Sequence, residues 1–183
     1  RLLGYTSAEI GSVWPLDYTA FADDLGLNGS LTLTANQSLT RGQAAVLLAN
    51  TLRAKTAGGQ DYYQTISTVK STTEAVLMDV SASYGGSSGL LMAYALDGSG
   101  IQYYTQVNAQ SDALAGCVGV LLFDGSGRVI GFVPESTDYL DLKISSATAT
   151  TLTASSGTSY RISSGAKVIA AGEVYPYAST GYL

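Results

Sequence analysis

The spacing of apolar residues changes once along this chain. Up to about residue 57 they recur every three to four positions; beyond about residue 72 they alternate or cluster in short blocks. In the first stretch Tyr18, Phe21, Ala22 and Leu25 fall on one face of a helix, and Gly26 is a natural stop in the left-handed conformation. A second helix is predicted from Arg41 to about Arg53, with Ala44, Ala45, Leu48 and Leu52 on one side. A short leading helix is predicted over 7–10, with Thr6 or Ser7 capping it and Gly11 ending it. Two helices joined by an irregular loop make a small hairpin. Alone it cannot bury both faces and needs neighbouring repeats or another domain.

The second stretch predicts strands over 74–80, 90–96, 101–108, 117–123 and 128–133, all rich in Val, Leu, Ile and Tyr. Further strands are predicted over 141–145, 150–154, 159–163 and 167–171. Asp97-Gly98-Ser99-Gly100 and Asp124-Gly125-Ser126-Gly127 read as hairpin turns, because Asp and Gly supply the positive φ angles required. Ser155-Ser156-Gly157-Thr158 reads as another turn. The expected fold is α+β: a helical part over 1–57, a linker over 58–71 and an antiparallel all-β domain over 72–183. Strands at this spacing with no intervening helices predict a barrel or a sandwich.

Composition narrows the function. The 183 residues are 46% hydrophobic and only 13% charged, enough apolar material for a core. The net charge is −5 and the pI near 4.4, which argues against a nucleic-acid partner. No apolar run approaches the ~18 residues of a membrane span, so this fragment is expected to have none. The chain begins with Arg1 and not Met, which reads as an excised or processed piece. Cys117 is the single cysteine; it excludes an internal disulfide and reads as a small buried hydrophobe.

There is no histidine, which removes the usual general base and the commonest metal ligand. No nucleophile elbow, phosphate loop or cysteine metal cluster is visible. The Asp-Gly-Ser-Gly turns lack the further acidic ligands of a calcium loop. Asp23 and Asp24 are adjacent on a helix and point apart. The expectation is a non-catalytic protein with no cofactor and no metal.

The chemistry concentrates at Leu39-Thr40-Arg41-Gly42-Gln43-Ala44-Ala45. Thr40 and Gln43 have the spacing of a capping box, each side chain reaching the other's backbone N–H. Arg41 then sits at the positive end of the helix dipole, where a cation gains nothing structurally and is well placed for an external anion. Trp14, the only tryptophan, lies just before Pro15 at a helix start, as a core anchor or a sugar-stacking platform. The thirteen tyrosines, Tyr103-Tyr104 and Tyr175-Pro176-Tyr177 above all, read as half-buried sheet residues or as a carbohydrate-binding strip.

Residues 1–53 resemble an S-layer homology repeat, the cell-wall anchoring module of bacterial surface proteins. The resemblance is carried by Trp14-Pro15-Leu16-Asp17-Tyr18, then Ala22-Asp23-Asp24-Leu25-Gly26-Leu27, a turn-rich 28–38 segment, and the motif from Leu39 to Ala45. The commonest family form of that last motif is Ile-Thr-Arg-Ala-Glu, so Gln43 stands where the family has Glu. Leu2-Leu3-Gly4-Tyr5 is similar to the tail of a preceding repeat. Asn28-Gly29-Ser30-Leu31 departs from the family's usual loop.

The resemblance implies binding of a secondary cell-wall polysaccharide, often pyruvylated. Arg41 would pair with its carboxylate, with Trp14 and Gln43 at the same site. It also implies further S-layer homology repeats in the parent chain, an extracellular location at the bacterial cell wall, and a spacer, lattice or display role for the β domain. The alternative is a structural or carbohydrate-binding β module against which the helical repeat only packs.

Overall fold

The computed structural model describes residues 2–34, 37–135, 142–170 and 173–177. The chain divides into two compact units, one of Arg1–Ser71 with Phe123–Gly125 and one of Thr72–Leu122 with Ser126–Leu183.

The first unit holds three helices: α1 (Ser7–Ile10), α2 (Leu16–Asp24) and α3 (Arg41–Arg53). Local chemistry sets their ends. At α1 the Thr6 N–H and hydroxyl both donate to the Glu9 carboxylate, at 2.8 and 2.7 Å. The backbone bond and then the hydroxyl hold Glu9 below the usual carboxylate range. At α2 the Asp17 carboxylate accepts from the Val13 N–H at 2.8 Å. The helix ends in a Schellman motif: the Leu27 N–H donates to the Ala22 carbonyl, the Gly26 N–H to that of Asp23, and Gly26 has φ +69. The loop that follows is pinned to α3 by the Asn50 amide, which donates to the Leu27 carbonyl at 2.9 Å.

None of the residues of α1, α2 or α3 is fully buried. Among the described residues of 1–71, only Leu3, Ala54 and Tyr63 are. The predicted α2 face does assemble: Tyr18, Phe21, Ala22 and Leu25 line an open apolar groove of about 190 Å³, together with Leu2, Tyr5 and Thr51. The predicted α3 face is only partly covered: Ala44 and Leu52 are half-buried, while Ala45 is exposed and Leu48 is 65% exposed. Residues 58–71, expected as a linker, carry a short 3-10 turn at Tyr62–Thr65 that packs beside α3, with Tyr63 buried.

The second unit is built on antiparallel strands. β1 (Ser71–Tyr84), β2 (Ser87–Ala95), β3 (Gly100–Tyr104), β4 (Val118–Phe123) and β5 (Val129–Pro134) form one sheet in the order β3-β2-β1-β4-β5. β6 (Ile144–Ala147), β7 (Thr151–Ala154) and β8 (Ser159–Arg161) form a second, and β9 (Lys167–Ala170) with β10 (Glu173–Pro176) a third. All three predicted turns join strands. A fourth, missed from sequence, is Gly85-Gly86, whose two positive φ angles close β1 onto β2 with Tyr84 opposite Ser87.

The register explains the core. Ala75, Leu77, Leu91, Ala93 and Ala95 share one face of β1 and β2 and are at most 1% exposed. Leu121, Val129 and Cys117 are equally buried. β4 starts at a G1 bulge: the Gly116 N–H donates to the Leu77 carbonyl while the Leu77 N–H donates to that of Cys117, with Gly116 at φ +87. At Gly119 a Cβ would lie 2.4 Å from the Val133 carbonyl oxygen, so only glycine lets β4 and β5 approach this closely.

The coarse expectation of helices followed by antiparallel strands holds; of the expected barrel or sandwich, no closed barrel forms among the described strands. The large sheet curls until Gln106, just past β3, meets Val129 of β5 in one parallel bridge. One bridge is not a ladder, and none of the three described sheets closes. Residues 105–107 leave the strand path after that single pairing, so the two sheet edges touch without zipping.

Candidate functional site

The predicted capping box is present at the start of α3. The Gln43 N–H donates to Thr40 Oγ1 at 3.2 Å, and the Thr40 N–H donates to Gln43 Oε1 at 2.9 Å. Gln43 thus spends its amide oxygen on the backbone and keeps its NH2 as a donor. Between the two caps stands Arg41, the first helical residue, with an exposed side chain. It makes no ion pair or hydrogen bond to a described residue. α3 has no acidic residue in its first turn to offset it. An ion pair lies beyond the other end of the helix, Lys55 to Asp61 at 2.8 Å. The Arg41 guanidinium, engaged by none of the described residues, stands beside a helix N-terminus, an arrangement suited to receiving a carboxylate or phosphate in two parallel bonds.

Trp14 is 73% exposed, which removes the core-anchor reading. Its one aromatic neighbour among the described residues is Tyr18, edge-on at 5.1 Å and 67°. The edge contact leaves much of the indole open for stacking. Tyr18 in turn lines the apolar groove, so Trp14 stands at that groove's margin.

The expected tyrosine strips come apart. Tyr103 pairs with Met92 and Tyr104 with Leu91, so the two tyrosines point to opposite faces of the sheet. Tyr104 is on the side of the fully buried Leu91. Burial, and then the Asp97 charge, push its phenol up. Tyr175 on β10 donates its hydroxyl to the Glu173 carboxylate and Tyr177, just past the strand, donates to the Thr148 carbonyl, which occupies both phenols. A different tyrosine meets Tyr103: Tyr84, from the end of β1, stacks on it with centroids 4.2 Å apart and planes within 6°. The signal that would have found it is the Gly85-Gly86 turn, which extends β1 to Tyr84.

The Asp-Gly-Ser-Gly turn at Asp97 spends its carboxylate internally. Asp97 Oδ1 accepts from the Ser99 hydroxyl at 2.6 Å and from the Ser99 N–H at 2.9 Å, an Asx turn. These two bonds hold Asp97 below the usual carboxylate range. No group of three or more metal-ligating residues occurs among the described residues. No described helix is long and apolar enough to cross a membrane.

No family model, curated protein or solved structure matches this chain.

Proposed function

We propose that this chain is part of a non-catalytic bacterial cell-surface protein whose helical unit, an S-layer homology repeat, holds it non-covalently to secondary cell-wall polysaccharide. The observation that carries the reading is Arg41, an exposed guanidinium at the first residue of a doubly capped helix, with no described partner. A ketal-linked pyruvate carries a carboxylate that the guanidinium fork matches. Trp14 supplies an open aromatic face, and Gln43 orders the turn on which Arg41 sits. The wide exposure of Leu16 and Leu48 supports the presence of further repeats as neighbours, since apolar surface of this kind marks an interaction face. The β unit then acts as spacer, lattice or display module outside the cell.

The second reading is a carbohydrate-binding β module. It draws on the exposed Tyr84 beside Tyr103, but it loses the Tyr103-Tyr104 strip.

Co-sedimentation of the chain with purified cell walls, before and after chemical removal of their polysaccharide, tests both. Binding that requires the polysaccharide and disappears in Arg41→Ala is the expected result. Binding that survives Arg41→Ala and fails in Tyr103→Ala would replace it with the second reading. Failure to bind in every arm would overturn anchoring by this repeat alone.

A further inference from the structure

Aromatic pairs among the described residues differ in geometry. Tyr5 meets Phe21 edge-on, at 75°, and Trp14 meets Tyr18 edge-on, at 67°. Tyr84 and Tyr103 instead put two phenols face to face, 4.2 Å between centroids and 6° from parallel. Tyr84 is 62% exposed and Tyr103 half-buried. Neither hydroxyl bonds to a described residue. Other phenols are engaged: Tyr5 donates to the Lys55 carbonyl, and Tyr94 accepts from the Lys167 ammonium at 2.5 Å. The two stacked rings come from β1 and β3, the strands that flank β2. With Cys117 buried and single, no disulfide is open to this unit as a staple.

We propose that Tyr84 and Tyr103 form an oxidative cross-linking site that joins β1 to β3 as dityrosine. The oxidant is hydrogen peroxide acting through a haem peroxidase. Each phenol gives up one electron and one proton, leaving two phenoxyl radicals in contact. A carbon–carbon bond forms between ring carbons ortho to the two oxygens. The hydrogens on those carbons move to the oxygens as the rings regain aromaticity. One peroxide takes up two electrons and two protons and leaves as two waters, and the protein loses two hydrogen atoms. The parallel stack favours this because the two rings already lie face to face with centroids 4.2 Å apart, so the radicals form side by side. The product ties the far end of the β1–β2 hairpin to an edge strand and restricts the unfolded chain, as any covalent loop closure does.

The test is treatment of the folded chain with haem peroxidase and hydrogen peroxide over a dilution series, read by dityrosine fluorescence, intact mass and peptide mapping. The expected product is a monomer lighter by two hydrogens. Its yield does not change with dilution, and one linked peptide pair contains positions 84 and 103. Tyr84→Phe and Tyr103→Phe keep a ring in the stack and lose the product. The cross-linked protein unfolds at a higher temperature than the untreated one. Links mapped to other tyrosines, or dimers whose yield falls on dilution, would overturn the site. An unshifted unfolding temperature would overturn the stapling role.

Discussion

Arg41→Ala moves folding and binding in opposite directions if the start of α3 is built to receive an anion. The first turn of α3 presents free N–H groups and the positive end of the helix dipole, with Arg41 among them and no acidic residue to offset it. Removing a cation from that end stabilises the helix by about 0.3–1 kcal/mol at low ionic strength. The intrinsic helix preference of Ala exceeds that of Arg only slightly, which adds in the same direction. No bond to a described residue is lost.

The comparison is Thr40→Ala, which deletes the acceptor 3.2 Å from the Gln43 N–H and costs about 1 kcal/mol. Trp14 is the only tryptophan and lies in the helical unit, so its emission in a urea titration follows that unit. The expected result is a midpoint raised or unchanged in Arg41→Ala and lowered in Thr40→Ala. The gain in Arg41→Ala should vanish near 1 M salt, where the screening length falls to about 3 Å. Wall binding falls in both variants, through the lost charge in one and the disordered turn in the other. A loss of about 1 kcal/mol or more in Arg41→Ala at low salt would refute the reasoning, because Arg41 would then be holding the fold.

In the sheet, Gly119→Ala should destabilise by about 1–3 kcal/mol, since the new carbon has the Val133 carbonyl in its place. Gly131→Ala on the adjacent strand should be neutral or stabilising by up to about 1 kcal/mol, as its nearest neighbour would be Leu122 at an ordinary 3.8 Å. Urea midpoints of the two variants check the contrast. Gly26→Ala, where nothing lies within 4 Å but φ is +69, should cost about 1–2 kcal/mol from backbone strain alone. Asp97 is held low in the fold, so its contribution is present above the ordinary aspartate pKa and lost as pH falls through its lowered value. Tyr104 is held high, so its contribution is present below the ordinary tyrosine pKa and lost as pH rises through its raised value. Asp97→Asn should flatten the acid limb of an unfolding-temperature profile and let Tyr104 ionise at lower pH in a phenolate absorbance titration.

The helix ends were legible because capping is local. Thr40 and Gln43, or Ala22 to Leu27, hold all the groups that set their own geometry within a turn or two. Most strands and their turns were legible for the same reason, since Asp97 and Gly98 define a hairpin without help from elsewhere. The pattern does not mark β10, because Pro176 interrupts it, nor the reach of β1 to Tyr84, which depends on the Gly85-Gly86 turn. For the candidate site, the capping partners and the position of Arg41 at the helix start were readable. The exposure of Trp14 was not, because burial depends on what the rest of the chain packs against it.

What the sequence determined by itself was the periodicity, and with it the change from helices to antiparallel strands, the caps, and the lone cation on a helix start. These follow from interactions a few residues apart. Tertiary structure alone decided that Tyr103 and Tyr104 face opposite ways, that Tyr84 stacks on Tyr103, and that the large sheet meets its own edge at a single bridge. Those outcomes rest on strand register and on the bulge at Gly116, where a slip of one residue would turn each side chain to the other face.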